Sequence, residues 1–213
     1  MISNMPGFSQ IRTWQRNLLD AVVRAHPGIG LDRRAEEMAD LFEARLPRES
    51  RILDIGGGWG FYAAPLQKRG HHVTVLDVVK PGFQKAPVVI YDPGSPIPFP
   101  DKSFDVSLLI TVLHHIPDPA AVLKEAGRVT RGVLVVVEDL YHHALGRVWT
   151  QVRDQFYNFE FFGHPCQFKK KEEWLEIFKE IGFIPLEVRE VFTRLAGFRI
   201  LNGLFILSVA GRE

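Results

Sequence analysis

Two hydrophobic rhythms alternate along the chain. Apolar residues recur at Ile11, Trp14, Leu18, Leu19 and Val22, and again at Leu31, Ala35, Met38, Leu41, Phe42 and Leu46. Spacings of three and four put each set on one helical face, so the pattern predicts helices over 9–25 and 31–46. His26-Pro27-Gly28-Ile29-Gly30 reads as the turn between them, and Pro47 stops the second. From residue 51 short apolar runs predict strands at 51–55, 72–77, 88–91, 104–112 and 133–138. Helical stretches at 61–69 and 119–129 separate some of them. Further helices are expected at 140–156 and at 171–181, the latter capped by Gly182, before two last strands at 185–191 and 204–210.

Strands buried on both faces read as continuous apolar runs, and crossover helices cover them. The expected fold class is therefore α/β: a Rossmann-like doubly wound, mostly parallel sheet with helices on both faces. A hairpin-like ending would add a C-terminal antiparallel strand. The length of 213 residues suits one domain over 1–213. Within it, 1–50 would be a helical cap, 51–138 a cofactor-binding core, and 139–213 a substrate-side segment with the final strands.

Composition narrows the setting. With 46% hydrophobic and 24% charged residues, the chain can bury a full core. Lys plus Arg (26) nearly cancels Asp plus Glu (25), and a formal charge of +1 leaves no basic footprint for nucleic acid or an anionic membrane. The single cysteine, Cys166, forms no internal disulfide. No secretion signal is visible at the N-terminus, and Leu195–Ala210 is interrupted by Arg199 and Asn202, so no membrane span is expected. The expected compartment is the cytoplasm. Nothing in the composition sets an oligomeric state.

Candidate chemistry begins with the glycines. Four of the 18 lie at 56, 57, 58 and 60, between a predicted strand and a predicted helix. Such a loop lets a ligand approach the backbone and offers it the N–H groups of the helix start. A P-loop is excluded, because no Gly-Lys-Ser/Thr follows. The dinucleotide fingerprint fits Gly58, Gly60 and Ala63 but leaves Asp54 without a role. The frame Asp54-x-Gly56-x-Gly58-x-Gly60 uses every position. Asp77 ends the next strand, 21 residues after Gly56, where a carboxylate can accept from both hydroxyls of a ribose.

That acidic residue before G-x-G-x-G resembles the first motif of class I S-adenosylmethionine-dependent methyltransferases. Asp92 to Val106, containing Ile97-Pro98-Phe99-Pro100-Asp101 and Ser103-Phe104-Asp105, resembles the ubiquinone-biosynthesis-like, or type 11, branch. Leu113-His114-His115-Ile116-Pro117-Asp118-Pro119 is similar to the segment that follows the fourth strand there. Arg128-Val129-Thr130-Arg131-Gly132 departs from that branch's R-V-L-K-P-G-G. The likeness covers 51–138 well and 169–183 more loosely.

The resemblance implies S-adenosylmethionine as cofactor. Gly56, Gly58 and Gly60 would pass its methionine half, and Asp54 would anchor the amino end. Asp77 would hold the ribose, Val78 would lie against the adenine, and Asp92 would accept from the adenine amino group with Pro93 beside the ring. Thr111 would sit near the methionine moiety. Only ten residues separate Asp77 from Val88, and they include Pro81, Gly82 and Pro87, so the adenine side is expected to be partly built from loop.

Methyl transfer asks the protein to align an acceptor, exclude water and, for some acceptors, take a proton. His114 and His115 are the candidate bases, with His142 and His143 as a second pair; a structural contact is the alternative for His114. No metal is expected, since adjacent histidines point differently and no carboxylate spacing completes a site. Lacking the Asn/Asp-Pro-Pro-Tyr motif of DNA amino methyltransferases, the chain is expected to act on a small-molecule methyl acceptor and on no nucleic acid. Five of the 16 phenylalanines fall in 156–168, as an aromatic lid or as a cap against the N-terminal helices. A non-catalytic cofactor-binding protein and an NAD-linked oxidoreductase remain the competing readings.

Overall fold

The computed structural model describes residues 8–25, 30–92, 95–158 and 167–209. Seven strands form one sheet: β1 (Arg51–Ile55), β2 (His72–Asp77), β3 (Val88–Ile90), β4 (Phe104–Ile110), β5 (Thr130–Asp139), β6 (Ile184–Leu195) and β7 (Phe198–Ser208). Their order is β3-β2-β1-β4-β5-β7-β6. The first five run parallel, and β7 is antiparallel to both β5 and β6. The order reverses between β1 and β4, and the crevice beyond the C-terminal ends of those two strands is where such sheets bind ligands.

Helices fill both faces. On one, α4 (Pro119–Val129) and α6 (Lys171–Ile181) bury Leu123, Ala126, Trp174 and Phe178 against Leu53, Leu109 and Leu134. On the other, α2 (Leu31–Phe42) and α3 (Ala63–Lys68) bury Met38, Phe42 and Leu66 against Ile52, Leu108 and Val135. Helix α1 (Phe8–Ala25) adds Val23, which packs with Ala35 of α2 and Phe61 beyond the glycine loop. The last long helix, α5 (Ala144–Asn158), follows β5.

The helix expected to 46 ends at Phe42 and continues as a single 3-10 turn, Glu43–Arg45. The last two strands are longer than the apolar runs suggested, because they pair with each other from Ile184–Ser208 to Leu195–Phe198 around a turn at Ala196 and Gly197. Main-chain pairing there carries the strand beyond its hydrophobic pattern. Between β2 and β3, residues 78–87 hold no helix, as the short spacing requires. Gly182 closes α6 with φ of 91°, its N–H bonded to the Phe178 carbonyl.

Candidate functional site

The glycine loop leaves β1 at the centre of the sheet and turns under the loop that follows β4. A side chain at Gly57 would place its first carbon 2.3 Å from Oδ2 of Asp54, so Gly57 makes room for that carboxylate. The spacing frame had passed over Gly57. Gly58 has φ of +54° and open space where a Cβ would stand, so it is the open position of the loop. Gly56 and Gly60 flank it, bonded through their N–H groups to the carbonyls of Leu76 and Gly57 at 2.7 and 2.9 Å.

Asp54 is fully buried, and neither of its carboxylate oxygens has a hydrogen-bond partner. Burial, and then the negative charge of Asp77, push its carboxyl up to about 7. Such a group invites a cationic donor. Asp77 instead ties two loops together: Oδ2 accepts from the Gly58 N–H and Oδ1 from the Val79 N–H, each at 3.0 Å. A carboxylate has about four acceptor positions, so capacity remains for hydroxyl groups.

Val78 follows with an exposed side chain. Asp92 is exposed beyond β3 and accepts a long bond from the Ser95 hydroxyl, at 3.5 Å. Pro93 lies outside the described residues. Thr111, at the end of β4, has φ of 51° and donates its N–H to the Val137 carbonyl at 2.7 Å. Left-handed backbone in a β-branched residue is costly and is held here by its surroundings.

The Ile97–Asp101 segment is tied to α4 by its hydrogen bonds. Arg128 of α4 donates to the carbonyls of Ile97 and Phe99 and to the Asp101 carboxylate, while Glu125 accepts from the Ile97 N–H at 3.0 Å. The segment is a strap pinned to α4, with Ile97 buried beneath it.

Across the crevice a polar wall forms from three elements. Buried Glu138, at the end of β5, accepts from the N–H groups of Val112 and Leu113 at 2.9 and 2.7 Å and pairs with His114 Nδ1 at 2.6 Å. His114 stacks on Phe168, and its Nε2 stands 3.5 Å from Asp154 Oδ1. His115 Nε2 lies 3.8 Å from the other oxygen of Asp154. Burial opposes charge on His114, but Glu138 and Asp154 together overcome it and raise its pKa to about 10. This pairing favours the charged imidazole, the form that cannot take a further proton. His114 is a positioning residue that locks the loop after β4.

The two rings do not diverge as expected of neighbours. A single 3-10 turn, Leu113–His115, brings their centroids to 4.1 Å, and α5 supplies the carboxylate that no sequence spacing showed. Donor atoms of His114, His115 and Asp154 lie within 4.8 Å of one another, a set from which a small cation could also be held. His142 lies 3.4 Å from Glu190 with its side chain largely exposed, and His143 Nδ1 accepts from the Gly146 N–H at the start of α5. Neither faces the wall.

Sequence reasoning missed four contributors: Gly57, Asp20, Glu138 and Asp154. Asp20 of α1 accepts from the Trp59 indole at 2.6 Å and from the Gly82 N–H at 2.8 Å, clipping the N-terminal helix over the glycine loop. Asp154 did carry a signal. Thr150, Arg153 and Asp154 lie at spacings of three and four and form the buried stripe of α5. Of the aromatic segment, Phe156 is exposed and Phe168 is buried, while 159–166, including Cys166, lie outside the described residues. A polar hollow of about 350 Å³ lined by Arg51, His71, His72 and Phe104 lies at the opposite ends of the strands and takes no part.

Residues 31–188 match the family model of a methyltransferase domain. A 2-methyl-6-phytyl-1,4-hydroquinone methyltransferase of Oryza sativa subsp. japonica is 29% identical over 74% of this chain and 44% of its own length. A demethylmenaquinone methyltransferase of Renibacterium salmoninarum is 29% identical over 64% of the chain and 52% of its own. The chain thus spans about half the length of these relatives, or less. Among solved structures, a 1,6-didemethyltoxoflavin-N1-methyltransferase of Burkholderia thailandensis, with S-adenosylhomocysteine bound, superposes with a TM-score of 0.60. That match is 19% identical, covers 84% of this chain and 77% of the other, and shows a shared fold.

Proposed function

The chain belongs to the class I S-adenosylmethionine-dependent methyltransferases, and from that membership we propose that it methylates a small-molecule acceptor by in-line displacement. One observation carries the reading: a buried carboxylate without a partner, Asp54, beside a glycine loop with an open position at Gly58. S-adenosylmethionine has the complementary parts, an ammonium for Asp54 and ribose hydroxyls for Asp77. Gly56, Gly58 and Gly60 bound the space for its methionine half, with Thr111 at the far side. Val78 and the segment from Asp92 to Pro93 serve the adenine. A dinucleotide frame leaves the Asp54 carboxylate unexplained.

When bound, the cofactor supplies an activated methyl group on a sulfonium. The protein's own work is to place the acceptor and receive its proton. His115 is the base, because it is less enclosed than His114 and faces Asp154, which orients it and stabilises the positive charge it gains with the proton. His114 and Glu138 hold the loop that carries it. The relatives' names point to a hydroxylated aromatic ring.

The test combines binding with turnover. Calorimetric titration with S-adenosylhomocysteine should show one site, lost in Asp77→Ala, and radiolabelled S-adenosylmethionine should label one of a panel of quinols. No S-adenosylhomocysteine binding would sink the proposal. Binding without transfer to any quinol, catechol or amine would favour the non-catalytic reading.

A further inference from the structure

Helix α5 is inside out. Its buried residues are Thr150, Arg153 and Asp154, while Leu145, Val148, Trp149, Val152 and Phe156 are 52–80% exposed. These five recur at spacings of three and four between Leu145 and Phe156, about 17 Å of continuous apolar ridge. Phe198, at the turn between β6 and β7, extends the ridge, with its ring 6.1 Å from that of Trp149. A surface of this size and order has an occupant.

Charge says which. Arg147 is exposed beside the ridge, and Arg194 and Arg199 pair on the rung behind Phe198, on the opposite face of the hairpin next to its tip. Like charges directly opposite on neighbouring strands repel. From Val191 to Val209 the chain has no acidic residue, and the only acid of α5, Asp154, points inward. The net charge of +1 conceals this local excess. An anionic lipid surface that receives the ridge and the tip of the hairpin would neutralise these arginines.

We propose that α5 and the β6–β7 turn dock on the surface of a bilayer containing anionic lipid, with the Leu145–Phe156 ridge buried at the headgroup boundary. No helix among the described residues is long and apolar enough to cross a membrane, so the contact is peripheral. The buried stripe of the same helix, through Asp154, forms part of the wall proposed above to receive the acceptor. Docking therefore sets that wall beside the lipid, and this consequence, unlike docking itself, rests on the methyl-transfer reading.

Sedimentation with vesicles of phosphatidylcholine alone, or with one-third phosphatidylglycerol, tests docking without any cofactor, so either proposal can fail alone. The protein should sediment with the mixed vesicles, and binding should weaken as salt rises. Trp149→Glu should cut binding about tenfold or more, and Arg194→Gln with Arg199→Gln should remove the preference for anionic vesicles. Both variants should keep their melting temperature and S-adenosylhomocysteine affinity, which verifies folding. Absence of vesicle binding, or binding that Trp149→Glu leaves intact, overturns the proposal. So does a dimer in sedimentation velocity that Trp149→Glu splits while no vesicle is bound.

Discussion

Titrating Asp54 gives a direct measure of what the glycine loop is for. Its carboxyl is raised from 3.8 to about 7 by burial, with the charge of Asp77 adding to the effect. That displacement corresponds to about 4 kcal/mol of disfavoured charge in the free protein. The folded state binds the proton more tightly than the unfolded one. The stability this provides is complete below pH 3.8 and is lost as pH rises through 7. A ligand ammonium reverses the preference, since it pairs with the ionised form. Affinity for S-adenosylhomocysteine, which keeps the amino group, should then rise with pH and level off above 7. With one titrating group, affinity at pH 5.5 should be about 30-fold weaker than at pH 8. Calorimetry in two buffers of different ionisation heat should count nearly one proton released per ligand at pH 6. Asp54→Asn should bind weakly at every pH and release none. Asp77→Asn, by removing a neighbouring charge, should move the midpoint down. A wild-type affinity that stays level from pH 5.5 to 8 would refute the assignment of the ammonium to Asp54.

The wall makes separable predictions. His115→Ala should lower kcat about 100-fold, with the melting temperature unchanged, as seen by turnover and calorimetry. His114→Ala should instead destabilise the fold by about 3 kcal/mol in urea unfolding, because Glu138 would be left buried without its counter-charge. Stability carried by His114 is complete below pH 6.5 and is lost as pH rises through its raised pKa of about 10, so urea midpoints should fall over that interval and His114→Gln should flatten the fall. Gly58→Ala has room for its methyl but not the backbone freedom; it should cost about 1 kcal/mol of stability and weaken S-adenosylhomocysteine binding, measured by the same titrations.

Where a feature is encoded by neighbours in sequence, the chain could be read directly. The parallel strands appear as apolar runs because helices cover both their faces, and Ile52, Leu53, Val106 and Leu108 are all fully buried. The loop after β1 and the acid at the end of β2 sit at spacings set by one strand and one crossover. Strand ends were less legible. Main-chain bonds extend β6 and β7 through Arg194 and Arg199, residues no hydrophobic pattern would include.

The acceptor wall was hidden for a different reason. Its parts come from the loop after β4, the end of β5 and the middle of α5, and each has an ordinary local explanation. Glu138 reads as a polar strand end, His114 and His115 as a loop pair, and Asp154 as a solvated helix position. Only the fold shows Glu138 taking two loop N–H groups and one imidazole, which fixes His114 charged and turns His115 toward Asp154. The same packing explains the reversed α5. A helix whose inner stripe must reach buried charges at Asp139 and His114 spends its polar residues inward: Arg153 pairs with Asp139, and Asp154 faces His114. Its apolar residues are left outside, so the chemistry of the wall and the exposed ridge are two results of one choice of helix face.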